Sequence, residues 1–169
     1  MVDFDVTDLG EADHVPEGEV APDFTRPLVN AEYWEDASLS EVTDEGPLLL
    51  VFYTMDGAFP ATYVWNELRD RGVCDEIEVV GVSISDPYAH KELIRDRGID
   101  VRLFSDPSNE VARRYGIDHE LDGMTGISEP RPATFLLDSD RRIVHAWVAT
   151  QWPEWPDYDE LEAEVRDLA

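Results

Sequence analysis

The apolar and polar positions of the chain follow two periods. Leu48–Tyr53 is an unbroken apolar run and predicts a strand buried on both faces. A turn at Asp56-Gly57 follows, then a helix opening near Pro60, since proline suits the first helical position. Ala61, Val64, Trp65 and Leu68 stand at i, i+3, i+4 and i+7, which gives that helix one inward face up to its end at Arg71-Gly72. Ile77–Ile84 predicts a second strand and Val101–Phe104 a third. Asp86-Pro87 caps and opens a helix running to about Arg97, and Asp106-Pro107 repeats the signal for a helix closing at Tyr115-Gly116. After a long loop over 117–132, Ala133–Leu137 and Ile143–Val148 read as a hairpin turned at Asp138–Arg141. Asp157 with Glu160 forms a capping box for a last helix, whose inner face is Tyr158, Leu161, Val165 and Leu168.

Upstream, Gly18–Leu28 reads as a surface loop broken by Pro22 and Pro27. Leu28–Leu39 reads as two short strands, with Tyr33 and Trp34 packed on one face. Val2, Phe4 and Val6 alternate with polar residues, as in an edge strand or a frayed arm. Strands alternating with helices predict an α/β fold: a central mixed sheet with helices on both faces and antiparallel hairpins at its edges. With no internal repeat and no linker, the expected division is an acidic N-terminal arm, residues 1–16, and one domain, residues 17–169.

Charge changes this picture. The 169 residues include 39 acidic and 13 basic side chains, for a net charge of −26, and Lys91 is the only lysine. A 43% hydrophobic content makes the chain globular rather than disordered. The acids are spread over the whole length, which fits a solvated surface adapted to concentrated salt better than an acidic tail or a nucleic-acid mimic. No basic patch exists for nucleic acid. No apolar run approaches the ~18 residues that span a bilayer, and the acidic start lacks the basic region of a signal peptide, so a cytoplasmic location is expected. One cysteine, Cys74, excludes an intrachain disulfide and a cysteine-based zinc cage. His14, His90, His119 and His145 show no metal spacing and read as surface or edge residues; no cofactor is expected.

Several short stretches, taken in order, carry a resemblance. They are Ala21-Pro22-Asp23-Phe24, Leu50–Tyr53, Arg69-Asp70, Gly81-Val82-Ser83 and His90-Lys91, then Ser105-Asp106-Pro107, Tyr115-Gly116 and Thr134–Asp138. Together they resemble the peroxiredoxin family (alkyl hydroperoxide reductase/thiol-specific antioxidant), nearest its bacterioferritin-comigratory branch, from about Gly18 to Val165. The resemblance implies a thioredoxin-like fold with the family's N-terminal hairpin extension. It also implies a Pro-x-x-x-Thr-x-x-Cys loop, in which the cysteine attacks peroxide, the threonine orients it and a distant arginine lowers the thiol pKa. The ungapped positions here are Thr54, Ala58 and Ala61, and the arginine position holds Pro132. Arg131 is adjacent, but one step along a strand turns a side chain to the other face.

Cys74 lies past the end of the Pro60 helix, ~15 Å along it from Ala61, beside Asp75 and Glu76, where a thiolate is disfavoured. A residual pocket would involve Phe59, Pro60, Thr62 and Arg131, with helix N–H groups near Ala61 forming a niche for an anion. Asp56 reads as a turn residue rather than a base. Trp152–Pro156 reads as packing under the last helix, or as a ligand platform or dimer contact. By resemblance to the thioredoxin cis-proline, a cis Arg131–Pro132 bond is expected. Two functions follow. One is a peroxiredoxin-like protein without peroxidase activity, acting in binding or assembly with a protein partner or as a homo-oligomer. The other is a thiol-dependent oxidoreductase using Cys74 or a partner's thiol.

Salt should separate an adapted acidic surface from an incidental one. At 1 M salt the Debye length is about 3 Å, so repulsion among surface carboxylates is screened. The melting temperature is therefore expected to rise with KCl through the molar range; a flat response would refute adaptation to salt.

Overall fold

The structure, a computed structural model, describes residues 6–121 and 123–168. The strands are β1 (Thr7–Asp8), β2 (Thr25–Val29), β3 (Trp34–Ser38), β4 (Leu48–Phe52), β5 (Glu78–Ser83), β6 (Arg102–Ser105), β7 (Asp118–His119), β8 (Glu129–Pro130), β9 (Ala133–Leu137), β10 (Ile143–Val148) and β11 (Gln151–Trp152). The helices are α1 (Leu39–Thr43), α2 (Phe59–Asp70), α3 (Val73–Glu76), α4 (Pro87–Arg97), α5 (Glu110–Tyr115) and α6 (Tyr158–Leu168).

Every residue of β4 is buried, because its two faces enter two cores. Leu48, Leu50 and Phe52 pack with α1 and α5 against Phe104, Tyr115 and Phe135. Leu49, Val51 and Tyr53 pack with α2, α4 and α6 around Trp65, Leu68 and Val165. A seven-stranded sheet in the order β10-β9-β4-β5-β6-β2-β3 results. β4, β5 and β6 are parallel, and the hairpins β9-β10 and β2-β3 add antiparallel strands at the two sides. This is the mixed sheet flanked by helices that the pattern predicts. Pro27 is tolerated inside β2 because the pairing with β6 involves only Leu28 and Val29, so its missing N–H costs no bond on that side.

Local expectations are corrected in several places, among them the stretch 117–132, where β7 and β8 pair within what reads as a loop. The helix after Asp106 begins at Glu110: Asn109 turns left-handed (φ 58°), and Asp106 reaches past it to accept from the Val111 N–H at 2.9 Å. The Asp106 carboxylate also binds Arg26 at 3.0 Å, which draws it into the core side of the turn. Two short helices add to those the pattern predicts. α1 is opened by a Ser38/Glu41 capping box, and α3 follows the left-handed Gly72. Tyr33 and Trp34 do not share a face: Tyr33 is exposed in the turn, whereas Trp34 packs edge-on against Tyr88 at 5.0 Å. Strand structure also starts at Thr25, inside the stretch that reads as a loop.

Val2 and Phe4 lie outside the described residues. From Thr7 the chain is docked: β1 pairs with β11, and the Leu9 N–H donates to the Thr150 carbonyl at 2.9 Å. Farther on, the Val15 N–H donates to the Tyr115 carbonyl at 3.1 Å. Gly116 makes room for this passage. A Cβ there would stand 2.3 Å from the Asp13 carbonyl oxygen, and its φ of +72° independently favours glycine.

Gly98 gives the control for that contact, since it is also left-handed (φ +57°) but has open space where a methyl would stand. Gly98→Ala is expected to cost about 1 kcal/mol from backbone strain alone. Gly116→Ala should cost about 1–3 kcal/mol more and expose residues 6–17 to limited proteolysis. Equal melting losses and an unchanged digest would contradict the docking.

Candidate functional site

The site expected from the resemblance lies where β4 runs into α2. Ala58 is the N-cap residue of α2 and offers no side-chain cap; Pro60 stands in the first turn. Ala61 is buried, 4% exposed, against the sheet. β9 runs antiparallel to β4, with Val51 opposite Thr134 and Phe52 opposite Ala133. This places Pro132 and Thr134 beside Ala61, around a narrow cavity of about 10 Å³. That is about the room of one water molecule. Thr54, Pro60, Trp147, Trp152 and Pro156 complete the wall, with Glu154 at its margin. Neither the Thr54 nor the Thr134 hydroxyl has a hydrogen-bond partner.

The four residues expected to form a residual pocket are not brought together. Of Phe59, Pro60, Thr62 and Arg131, only Pro60 lines the cavity. Phe59 faces outward, 42% exposed, with its ring 6.5 Å from that of Trp152. The Thr62 N–H closes the first helical turn on the Ala58 carbonyl at 3.0 Å. Arg131 points away from the cavity: its guanidinium donates to the carbonyls of Gly10 at 2.7 Å, Ala149 at 3.1 Å and Leu9 at 3.2 Å. It clasps the N-terminal arm instead of facing α2. The expected cis bond at Arg131–Pro132 is also corrected, since among the described residues the cis peptide is Trp152–Pro153. A niche for an anion is not what the geometry offers. Pro60 brings no N–H, the wall is mostly apolar, and its one charged member is the carboxylate of Glu154.

Cys74 sits on α3, half-buried and packed at the edge of the α2/α6 core. Burial pushes its thiol pKa up to about 11, and Asp100, Asp75 and Glu78 add to the shift. It is not among the residues that line the cavity. A thiol so placed is almost wholly un-ionised at neutral pH.

A polar cluster that the sequence pattern does not announce lies one turn before α2. His90 is fully buried, not at an edge as expected, and Asp56 is its partner rather than a simple turn residue. His90 Nδ1 faces Asp56 Oδ2 at 2.8 Å, and Nε2 faces the Phe104 carbonyl at 3.0 Å. Nδ1 also lies 3.3 Å from the Tyr53 hydroxyl, so both ring nitrogens are engaged inside the protein. The Tyr53 hydroxyl donates to Asp56 Oδ1 at 2.7 Å. Burial holds that phenol well above its usual pKa, and the Asp56 charge adds to it. The Asp56 N–H donates to Ser85 Oγ at 2.7 Å. This cluster therefore anchors the 53–57 loop to α4 and β6. One signal could have found it: His90 stands three and four residues before Leu93 and Ile94, on the inward face of α4.

Comparison with known proteins bears on this geometry. A family model described as AhpC/TSA family matches residues 18–146. The alkyl hydroperoxide reductase C of Buchnera aphidicola is 29% identical over 137 residues, covering 74% of this chain and 66% of that protein. The chloroplastic peroxiredoxin Q of Gentiana triflora is 26% identical over 132 residues, covering 76% of this chain and 57% of that protein. The chain thus spans somewhat less than two thirds of the length of these relatives. Among solved structures, peroxidoxin BcpB from Mycobacterium tuberculosis superposes with a TM-score of 0.75 at 23% identity, over 92% of this chain and 99% of that one. Thiol peroxidase from Chromobacterium violaceum gives 0.74 at 18% identity, over 95% and 90%. These likenesses establish the thioredoxin-like fold. With the family model covering most of the chain, the β4–α2 junction and the order of strands around it are those of a peroxiredoxin, and the protein belongs to the AhpC/TSA family.

Proposed function

We propose that this protein is a peroxiredoxin-like member of its family without peroxidase activity, acting as a binding or assembly module. The observation that carries the reading is the first turn of α2. The nucleophile position is taken as Ala61, and the space beside it is reduced to about 10 Å³ by Trp147, Trp152, Pro132 and Pro156. Attack on a peroxide needs a thiolate, room for the peroxide and donors for the developing oxyanion. Ala61 brings no thiol, and Pro132 in place of an arginine brings no cation. A cytoplasmic setting, a salt-adapted acidic surface, self-association or a protein partner, and the division into an arm, 1–16, and a domain, 17–169, belong to the same proposal.

The second reading, a thiol-dependent oxidoreductase using Cys74 or a partner's thiol, is disfavoured by the surroundings of that cysteine. Its thiol lies among carboxylates, with a pKa pushed up to about 11, so little nucleophile exists at neutral pH.

Peroxide consumption with a dithiol reductant in molar KCl tests the proposal directly. The wild type and Cys74→Ser are both expected at the uncatalysed rate; turnover lost in Cys74→Ser would establish the second reading instead. Ala61→Cys alone is expected to remain far below an active peroxidase, because the cavity still excludes peroxide and Pro132 still offers no cation. Full activity in that variant would show the site to be open and supported.

The pH dependence has a definite sign. The folded thiol ionises near 11 against an ordinary 9.0, so the stability held by its neutral form is complete below pH 9 and is lost as the pH rises toward 11. Between pH 7 and 8, iodoacetamide should therefore label Cys74 about 100-fold more slowly in the folded protein than in the unfolded one, the ratio a shift from 9.0 to 11 implies. Equal rates would refute the burial of the thiol.

A further inference from the structure

A second concavity, with none of its lining residues shared with the cavity beside Ala61, lies along α2. It is an open groove of about 350 Å³ between α2 and α6, lined by Tyr63, Asn66, Glu67, Trp155 and Tyr158. Three of its five lining residues are aromatic. Tyr63 is half exposed and meets Trp155 edge-on, with ring centroids 5.8 Å apart and planes at 68°. Trp155 is held in place by its indole N–H, which donates to the Pro60 carbonyl at 3.2 Å. The Asn66 Oδ1 and the Tyr158 hydroxyl have no hydrogen-bond partner. We propose that this groove binds a small quaternary ammonium cation.

The chemistry of the wall selects that class. Aromatic faces attract cations through the ring quadrupole, and the attraction grows as the cation sheds water. One cation already uses it: the Arg71 guanidinium lies 5.2 Å from the centre of the Tyr158 ring. Arg71 does not reverse the sign of the site, because Glu67, Asp159 and Glu162 all bind it. Arg166 reaches Glu162 from the far side at 3.0 Å, and the surrounding chain carries a net charge of −26. A potassium ion or a primary ammonium would have to give up strong hydration for a wall whose one carboxylate, Glu67, is already bound by Arg71 at 2.6 Å, and rings and an amide do not replace that hydration. A quaternary ammonium holds its water weakly, so contact with the aromatic rings costs it little desolvation. The Arg71 guanidinium already lies over the Tyr158 ring, which leaves Tyr63 and Trp155 for a compact head group.

The inference names a ligand for the binding role proposed above, but it does not depend on the site at Ala61. Peroxide turnover would overturn that proposal and leave this one standing. The test is a titration with tetramethylammonium chloride exchanged against KCl at constant molar salt, followed by the NMR cross-peak of the Trp155 indole N–H. A saturable shift with a midpoint in the millimolar range is expected. Tyr63→Ala should weaken it about three- to thirty-fold, with the melting temperature as a check on folding, and Trp155→Phe should retain part of it. tert-Butanol, a neutral molecule of similar shape, should give no comparable saturation. A response still linear at about 100 mM, equal binding of the alcohol, or indifference to Tyr63→Ala would each overturn the assignment. Much tighter binding of a trimethyl-lysine peptide than of the free cation would overturn the choice of a free solute.

Discussion

The constraint on which the rest of the molecule depends is the two-sided burial of β4. Its residues alternate into two separate cores, so no face of the strand is left for water. A strand of this kind must have neighbours on both edges and helices on both faces, and β5, β9, α2, α5 and α6 are the elements that supply them. Trp65 shows how tight the fit is. Its ring lies so close to β5 that a Cβ on Gly81 would stand 2.8 Å from it and 2.6 Å from Leu103. The glycine is what allows α2 to sit low on the sheet, and thereby sets where the first turn of α2 meets β9.

That junction explains why the candidate site is closed. A thioredoxin-like sheet brings the start of α2, the end of β4 and the start of β9 to one point whatever side chains they carry. Here the residues at that point are Thr54, Ala61 and Pro132, and the segments that cover them come from beyond the residues the family model matches. Trp147, Trp152, Glu154 and Pro156 all follow residue 146. β11 is in turn paired with β1, and Arg131 clasps the carbonyls of Leu9 and Gly10 beside it. The arm therefore braces the cover of the cavity, and the guanidinium of Arg131, next to Pro132 in the chain, supports the arm rather than an anion. On the other side of the same loop, Asp56 and His90 hold residues 53–57 against α4. A loop anchored at both ends in this way does not need a reactive group to keep its shape.

Much of the architecture is legible in the sequence because it rests on local periodicity. α4 begins at Pro87 and α2 one residue before Pro60, the β9-β10 hairpin turns where Asp138–Arg141 predicts, and Asp157 caps α6 through the Glu160 N–H at 3.1 Å. The departures have physical causes that periodicity does not carry. Asp106 has the form of an immediate cap, but Arg26, eighty residues earlier in the chain, competes for its carboxylate and the helix starts later. His90 reads as a surface residue because histidine is polar, although it stands on the inward stripe of α4. Its acceptors, Asp56 and the Phe104 carbonyl, come from two distant segments. The Ser38/Glu41 box before α1 is present in the sequence, but a five-residue helix leaves almost no apolar repeat to mark it.

By itself the sequence determined the order of elements, the alternation of β4 between two cores, the identity of the residues at the start of α2 and the isolation of the single thiol. These depend on spacing along the chain and on side-chain chemistry, both of which are present before folding. Tertiary structure alone decided that the space beside Ala61 is nearly filled and that Arg131 serves the arm. It also decided that Tyr63, Trp155 and Tyr158 form one groove. Each of those outcomes depends on contacts between segments tens of residues apart, where packing volume and hydrogen-bond geometry, not local pattern, choose among the partners available.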